Sequence, residues 1–185
     1  FSDNSALFEK YQAGIWPHLD VNHLWYLRSL WQYSLALIVL LPLLNSSYVA
    51  AASNWLFKQH ISVIVLILSL PIFIIQITWD QDTNRYPLGF TFLLYGYLIG
   101  WHTSFWRQLK VNVKPLLLTF LILLIAFISF YNTVWLTLDD STPPWLIITG
   151  MLIYSLARVV GVLMVLALAY KYLNKKFYIF FSEFR

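Results

Sequence analysis

Five long apolar runs, at residues 25–44, 61–79, 88–106, 116–135 and 145–170, dominate the chain, and lysine and arginine fall almost wholly on alternate connections between them. Each run is close to the roughly 20 residues a helix needs to cross a hydrocarbon core about 30 Å thick. In lipid no water satisfies free backbone groups, so a spanning segment is either a helix or a strand of a closed barrel. Uninterrupted Leu, Ile, Val and Phe lack a barrel strand's alternation of apolar and polar residues. The pattern predicts an all-α fold, a polytopic membrane helix bundle of about five transmembrane helices.

Composition agrees. The chain is 60% hydrophobic, 19% aromatic and 11% charged, against about 25% charged in a soluble domain. A water-soluble packed fold is the poorer reading. The first run follows a polar stretch and lacks a basic leader, which argues against a cleavable signal peptide. With no cysteine, disulfides, thiol nucleophiles and thiolate metal sites are excluded. No internal repeat or interdomain linker is visible, so residues 1–185 read as one membrane domain.

Charge sets the expected orientation. Lys58, then Arg107, Lys110 and Lys114, then Lys171, Lys175 and Lys176 occupy connections free of acid, whereas the intervening ones carry Asp80, Asp82 and Arg85, and Asp139 with Asp140. Cytoplasmic loops retain Lys and Arg, which puts the basic connections and the C-terminus in the cytoplasm and residues 1–22 outside. The net charge of +4 then follows from topology, and no nucleic-acid partner is implied.

Local features fit this map. Trp25, Tyr26, Trp79, Tyr86, Trp101, Trp106, Trp135 and Trp145 lie near run ends, where amphipathic rings favour the headgroup layer. Pro71 falls inside the second run and predicts a kink or accommodation by neighbouring helices. Gly89, Gly96 and Gly100 leave a small-residue surface on the third run, open to close approach by another helix or, less simply, to a ligand path. Asp139-Asp140-Ser141-Thr142-Pro143-Pro144 reads as a turn and helix start.

Polar groups inside the runs are the candidate functional residues. Arg158 sits near the middle of the fifth run, where an arginine costs about 2.5 to 3.5 kcal/mol even on the lenient insertion scale. It is either a cation lining a cavity inside the bundle, or a structural or snorkelling side chain. No acid lies within any run, which leaves a loop carboxylate, a carbonyl, a ligand or a residue beyond this chain as its partner. At the entry to the first run, His23, Trp25 and Arg28 concentrate further chemistry. Asp20 or Asn22 can cap the helix, His23 titrates near neutrality, and Arg28 lies about a turn beyond it. They either edge one cavity or are interfacial residues reaching headgroups. His18, Asp20 and His23 do not share a helix face and lack a third firm ligand, so no metal site is assigned. His60 and His102 read as satisfied interfacial histidines. No Gly-rich phosphate loop, nucleophile elbow or pair of catalytic carboxylates is present.

Asn22-His23-Leu24-Trp25-Tyr26-Leu27-Arg28 resembles the His-Leu-Trp-Phe-Leu signature that opens a central membrane helix in the acyltransferase-3 family, including its glucan-modifying branch. Pro87-Leu88-Gly89-Phe90-Thr91-Phe92-Leu93-Leu94-Tyr95-Gly96-Tyr97-Leu98-Ile99-Gly100 is similar to that family's segment of proline, aromatic residues and Leu-Leu-Gly-Tyr-Leu. Tyr170-Lys171-Tyr172-Leu173-Asn174 and Ser182-Glu183 resemble its late basic Tyr-Leu-Asn and Ser-Glu elements. The resemblance implies transfer of an acetyl or succinyl group from cytoplasmic acyl-CoA, a donor substrate and not a bound cofactor, to a hydroxyl of a sugar or glycan. It also implies residence in the lipid bilayer of a bacterial inner membrane. His23 and Arg28 would line the acceptor-side mouth, and Arg158 would hold the donor or stabilise negative charge in a dry cavity. The family's principal catalytic histidine belongs to a first membrane helix that nothing here matches. The expectation is therefore a C-terminal-half fragment, inactive alone, with no catalytic residue assigned. The alternative is a transporter or scaffold with a solute path near Arg158.

Overall fold

A computed structural model of the chain describes residues 24–79, 83–137 and 142–172, with the side chains of residues 24–26 and 28 outside the description. Among the described residues all regular structure is helical: α1 (Leu24–Leu44), α2 (Ser47–Leu56), α3 (Ile61–Thr78), α4 (Arg85–Gly100), α5 (Thr103–Val111), α6 (Val113–Thr133), a 3-10 turn (Trp135–Thr137) and α7 (Pro144–Tyr172). The chain divides into two compact units, Phe1–Leu43 and Leu44–Arg185.

The first unit contributes α1, which carries Pro42 in its last turn. Leu35, Ile38, Val39 and Leu43 are exposed along it, an apolar surface suited to lipid.

Among the described residues three helices, all in the second unit, are long and apolar enough to span a membrane: Ile61–Thr78, Val113–Thr137 and Pro144–Tyr172. Among the same residues a fourth span is reached if Ser29–Leu44 and Ser47–Leu56 count together as one broken crossing. Exposed Leu66, Leu70, Leu118, Ile122, Ile125 and Val165 on the spans mark a membrane protein, because water would not tolerate so much uncovered apolar surface.

The expected count of five is not confirmed, and the difference lies at the third run. That run, predicted as one helix over 88–106, ends at Gly100; Trp101 and His102 turn the chain, and α5 starts afresh at Thr103. Sixteen residues at about 1.5 Å each reach roughly 24 Å, short of a bilayer core. His102 secures the break, its Nδ1 lying 2.8 Å from the Leu98 carbonyl while its backbone is extended. The residues after the break are amphipathic rather than uniformly apolar. Phe105 and Leu109 are buried, whereas Arg107 and Lys110 are exposed, so α5 reads as an interfacial helix.

Helix α7 is the axis of this unit, touching α3, α5 and α6. It runs antiparallel to α6, with Phe120 against Gly161 and Phe130 against Gly150. A Cβ built on Gly161 would lie 2.9 Å from Phe120 Cε2, and one on Gly150 would meet the Phe130 ring more closely still. Glycine therefore provides the holes that receive aromatic knobs from α6. The close approach expected at Gly96 and Gly100 is not made by the described residues, since a Cβ at either position would have no neighbouring atom within 4 Å.

On α3 the buried side chains Ile64, Leu68, Ile72 and Gln76 recur every four residues and form one stripe. The helix continues through Pro71. Tyr95 of α4 donates its hydroxyl to the Leu68 carbonyl at 2.7 Å, next to the Ile67 carbonyl that Pro71 deprives of its ladder donor, so a neighbouring helix ties down the turn before the proline. Ser46 caps α2 through the Val49 N–H, and His60 caps α3 through the Ser62 N–H, both at 3.4 Å. Helix α7 begins at Pro144, in keeping with the two prolines there, and the Leu146 N–H donates to the Pro143 carbonyl at 3.0 Å.

Candidate functional site: an arginine recess between α3, α6 and α7

Helix α3 ends at Thr78, and its last turn meets α7 in the turn of Ser155 and Arg158. Helix α6 pairs with α7 as far as Gly150. Two walls therefore extend past the end of the third and leave a recess. Its volume is about 290 Å³, and Gln76, Asn84, Phe127, Tyr131, Trp135, Gly150, Met151, Tyr154 and Arg158 line it. Asn84 and Trp135 place it at the end of the unit that carries the acid-bearing connections, called here the acidic end; Lys58, Arg107, Lys110 and Lys114 lie at the basic end.

Arg158 is half-buried at the floor of this recess. Its Nη2 donates to Tyr154 Oη at 2.6 Å, and its Cζ lies 4.0 Å from the centroid of the same ring. The four-residue spacing on α7 brings the two side chains together. Tyr154 is itself stacked on Phe127 of α6, with centroids 4.8 Å apart and planes inclined by 14°. From α3, the Gln76 carboxamide is assigned the orientation that satisfies both of its ends: its oxygen accepts from Arg158 Nη1 at 3.1 Å, and its nitrogen donates to Ser155 Oγ at 2.8 Å and the Met151 carbonyl at 3.0 Å. Ser155 Oγ donates in turn to the Met151 carbonyl at 2.7 Å. Gln76 and Ser155 are buried, 7% and 0% exposed, and their side-chain polar atoms all have partners.

The compensation for the membrane-depth cation is thus neutral among the described residues. All eight carboxylates of the chain lie outside them. Hydrogen bonds to a charged group contribute about 1.5 to 3 kcal/mol each, and a desolvated cation over an aromatic face adds up to about 2 kcal/mol. Together these offset the insertion cost of about 2.5 to 3.5 kcal/mol. The C-terminal turn of α3 adds the negative end of a helix dipole beside the guanidinium. Tyr154 and Gln76 engage two of the five guanidinium N–H donors, one on each Nη. Such a floor can hold a carboxylate or phosphate, or stabilise an oxyanion that forms against it.

Arg158, singled out from the sequence, is therefore placed in a cavity. His23 lies outside the described residues, and Trp25 and Arg28 are placed on α1 by backbone alone. Sequence reasoning missed Gln76 and Tyr154. Gln76 had a usable signal, as the lone carboxamide in the run 61–79. His60 and His102 are satisfied by local backbone groups, and the His102 ring lies 4.7 Å from that of Phe57. Among the described residues no group of three potential ligands is arranged to hold a metal.

No protein-family model, curated protein or solved structure matches this chain.

Proposed function

We propose that the chain is the membrane-embedded part of an integral membrane acyltransferase that moves an acetyl or succinyl group from cytoplasmic acyl-CoA to a hydroxyl of a sugar or glycan. The observation that carries the reading is Arg158, a cation fixed by Gln76 and Tyr154 at the floor of a partly closed recess. The resemblance of residues 22–28, 87–100, 170–174 and 182–183 to the acyltransferase-3 family supports it.

In that reaction the acceptor oxygen forms a bond to the thioester carbonyl carbon, the carbon–sulfur bond breaks, and the acceptor's proton leaves with the CoA thiol. Negative charge gathers on the carbonyl oxygen meanwhile, where a preorganised donor in a water-poor site is most effective. The recess lies toward the acidic end, away from the basic rim, so Arg158 suits that charge better than the donor's phosphates. No base is assigned, because none of the described groups in the recess has the chemistry to take the acceptor's proton at neutral pH. His23, Trp25 and Arg28 remain the candidates for the acceptor-side mouth. The basic end faces the cytoplasm in this reading.

The test is CoA release and acylated-glycan formation by membranes bearing the protein that carries this chain. Removing one oxyanion donor costs about 100- to 1000-fold, so Arg158→Met is expected to lower turnover by that order while Arg158→Lys retains part of it. Solute flux without acyl donor, and without acylated product, would overturn the proposal in favour of a transporter.

A further inference from the structure

We propose a binding groove for one chain of an anionic phospholipid between α3, α4 and α7, with its headgroup held at the basic end. The groove has a volume of about 450 Å³ and is lined by Leu68, Phe92, Gly96, Ile99, Val162 and Leu166, among others. Its one polar wall residue, Tyr95, has its hydroxyl committed to the Leu68 carbonyl. Gly96 opens the middle, for no atom lies within 4 Å of where its Cβ would be.

An apolar groove alone does not select a ligand in a membrane, since lipid tails are as apolar as its walls. Selection comes from its end. Trp106 lines the groove there and stacks on Tyr170, with centroids 5.2 Å apart and planes inclined by 30°. Two lysines lie at this end of the helices. Lys110 is exposed one turn beyond Trp106 on α5, and Lys171 is in the last turn of α7 with its Nζ 5.3 Å from the centroid of the Tyr172 ring. Paired aromatic rings and two lysines at the basic end give the charge complementarity that a phosphate headgroup needs. The groove holds the chain by shape, and the lysines choose the headgroup. This site is distinct from the Arg158 recess and does not depend on the acyltransferase reading.

Native mass spectrometry of the protein released from bicelles containing phosphatidylglycerol and phosphatidylcholine tests the assignment. Each lysine is worth roughly five-fold in affinity for an anionic surface, so retained phosphatidylglycerol should exceed phosphatidylcholine by roughly ten-fold or more. Lys110→Gln with Lys171→Gln should bring the two lipids near parity. A Cβ at Gly96 has no heavy atom within 4 Å, so Gly96→Leu projects into the groove and should abolish retention of both lipids, with an unchanged melting profile as the control for folding. Gly100→Leu, also open but outside the lining, should leave retention as it was. Equal retention of the two lipids by the unaltered protein would overturn the proposal. So would retention that survives Gly96→Leu, or a second copy of the chain in place of lipid.

Discussion

Replacing Gln76 by Leu removes the acceptor for Arg158 Nη1 and the donor to Ser155 Oγ and Met151 O, while keeping side-chain bulk in the buried stripe of α3. An unpaired donor on a charged group costs about 1 to 3 kcal/mol. Interhelical hydrogen bonds in membranes, however, average only about 0.6 kcal/mol and reach about 1.7. The Gln76–Arg158 bond is charge-assisted and half-buried, which places it near the top of that membrane range. Gln76→Leu is expected to destabilise by about 2 kcal/mol. Arg158→Met alone should cost less, since a hydrophobic replacement of a buried charge is often close to neutral. With both changes together, the loss from Gln76→Leu should be partly recovered, giving a coupling energy of about 1 to 2 kcal/mol. Reversible unfolding of the four proteins in mixed micelles, followed by circular dichroism, completes the cycle. Additive single effects, with coupling within about 0.3 kcal/mol of zero, would refute the contact and with it the carboxamide orientation assigned here.

Gly150→Ala and Gly161→Ala should both destabilise the α6–α7 pair, by about 1 to 3 kcal/mol as overpacking does, with Gly150→Ala the worse because its Cβ meets Phe130 more closely; thermal melts would contradict the packing if that order were reversed. Phe130→Leu should rescue Gly150→Ala but not Gly161→Ala. Tyr95→Phe should cost about 1 kcal/mol by removing the donor at the Leu68 carbonyl; no measurable loss would mean that the turn before Pro71 needs no outside partner.

The existence of the apolar helices was legible because length and composition alone identify a span. Their inward faces were not. On α3, lipid-facing Leu66, Leu70 and Ile74 are as apolar as core-facing Ile64, Leu68 and Ile72, so periodicity carries no direction when both sides avoid water. Polar residues broke that symmetry, and Arg158 was found for this reason. Gln76 continues the stripe of Ile64, Leu68 and Ile72 by one more turn and would have named the inner face had its neighbours been read as a register. The break after Gly100 was hidden for a different cause. Trp101 and Trp106 extend the apolar count across a turn, and a sum over a window does not register an extended His102 backbone. Trp106 was read as a headgroup anchor alone, whereas its ring also packs on Tyr170. The glycines that admit close packing proved to be Gly150 and Gly161, whose partners on another helix a sequence does not display.

The account turns on Arg158 being a charged group that water-borne anions can reach through the recess at the acidic end. The chain has no native cysteine, so Met151→Cys places a single thiol on the recess wall, two turns from Arg158. Its reaction rates with an anionic and a cationic methanethiosulfonate of similar size report the local potential. The anionic reagent should be favoured, and Arg158→Met should lower the anion-to-cation rate ratio by roughly ten-fold, the equivalent of about 1.4 kcal/mol. A ratio that Arg158→Met leaves unchanged, or a thiol that neither reagent reaches, would contradict the account.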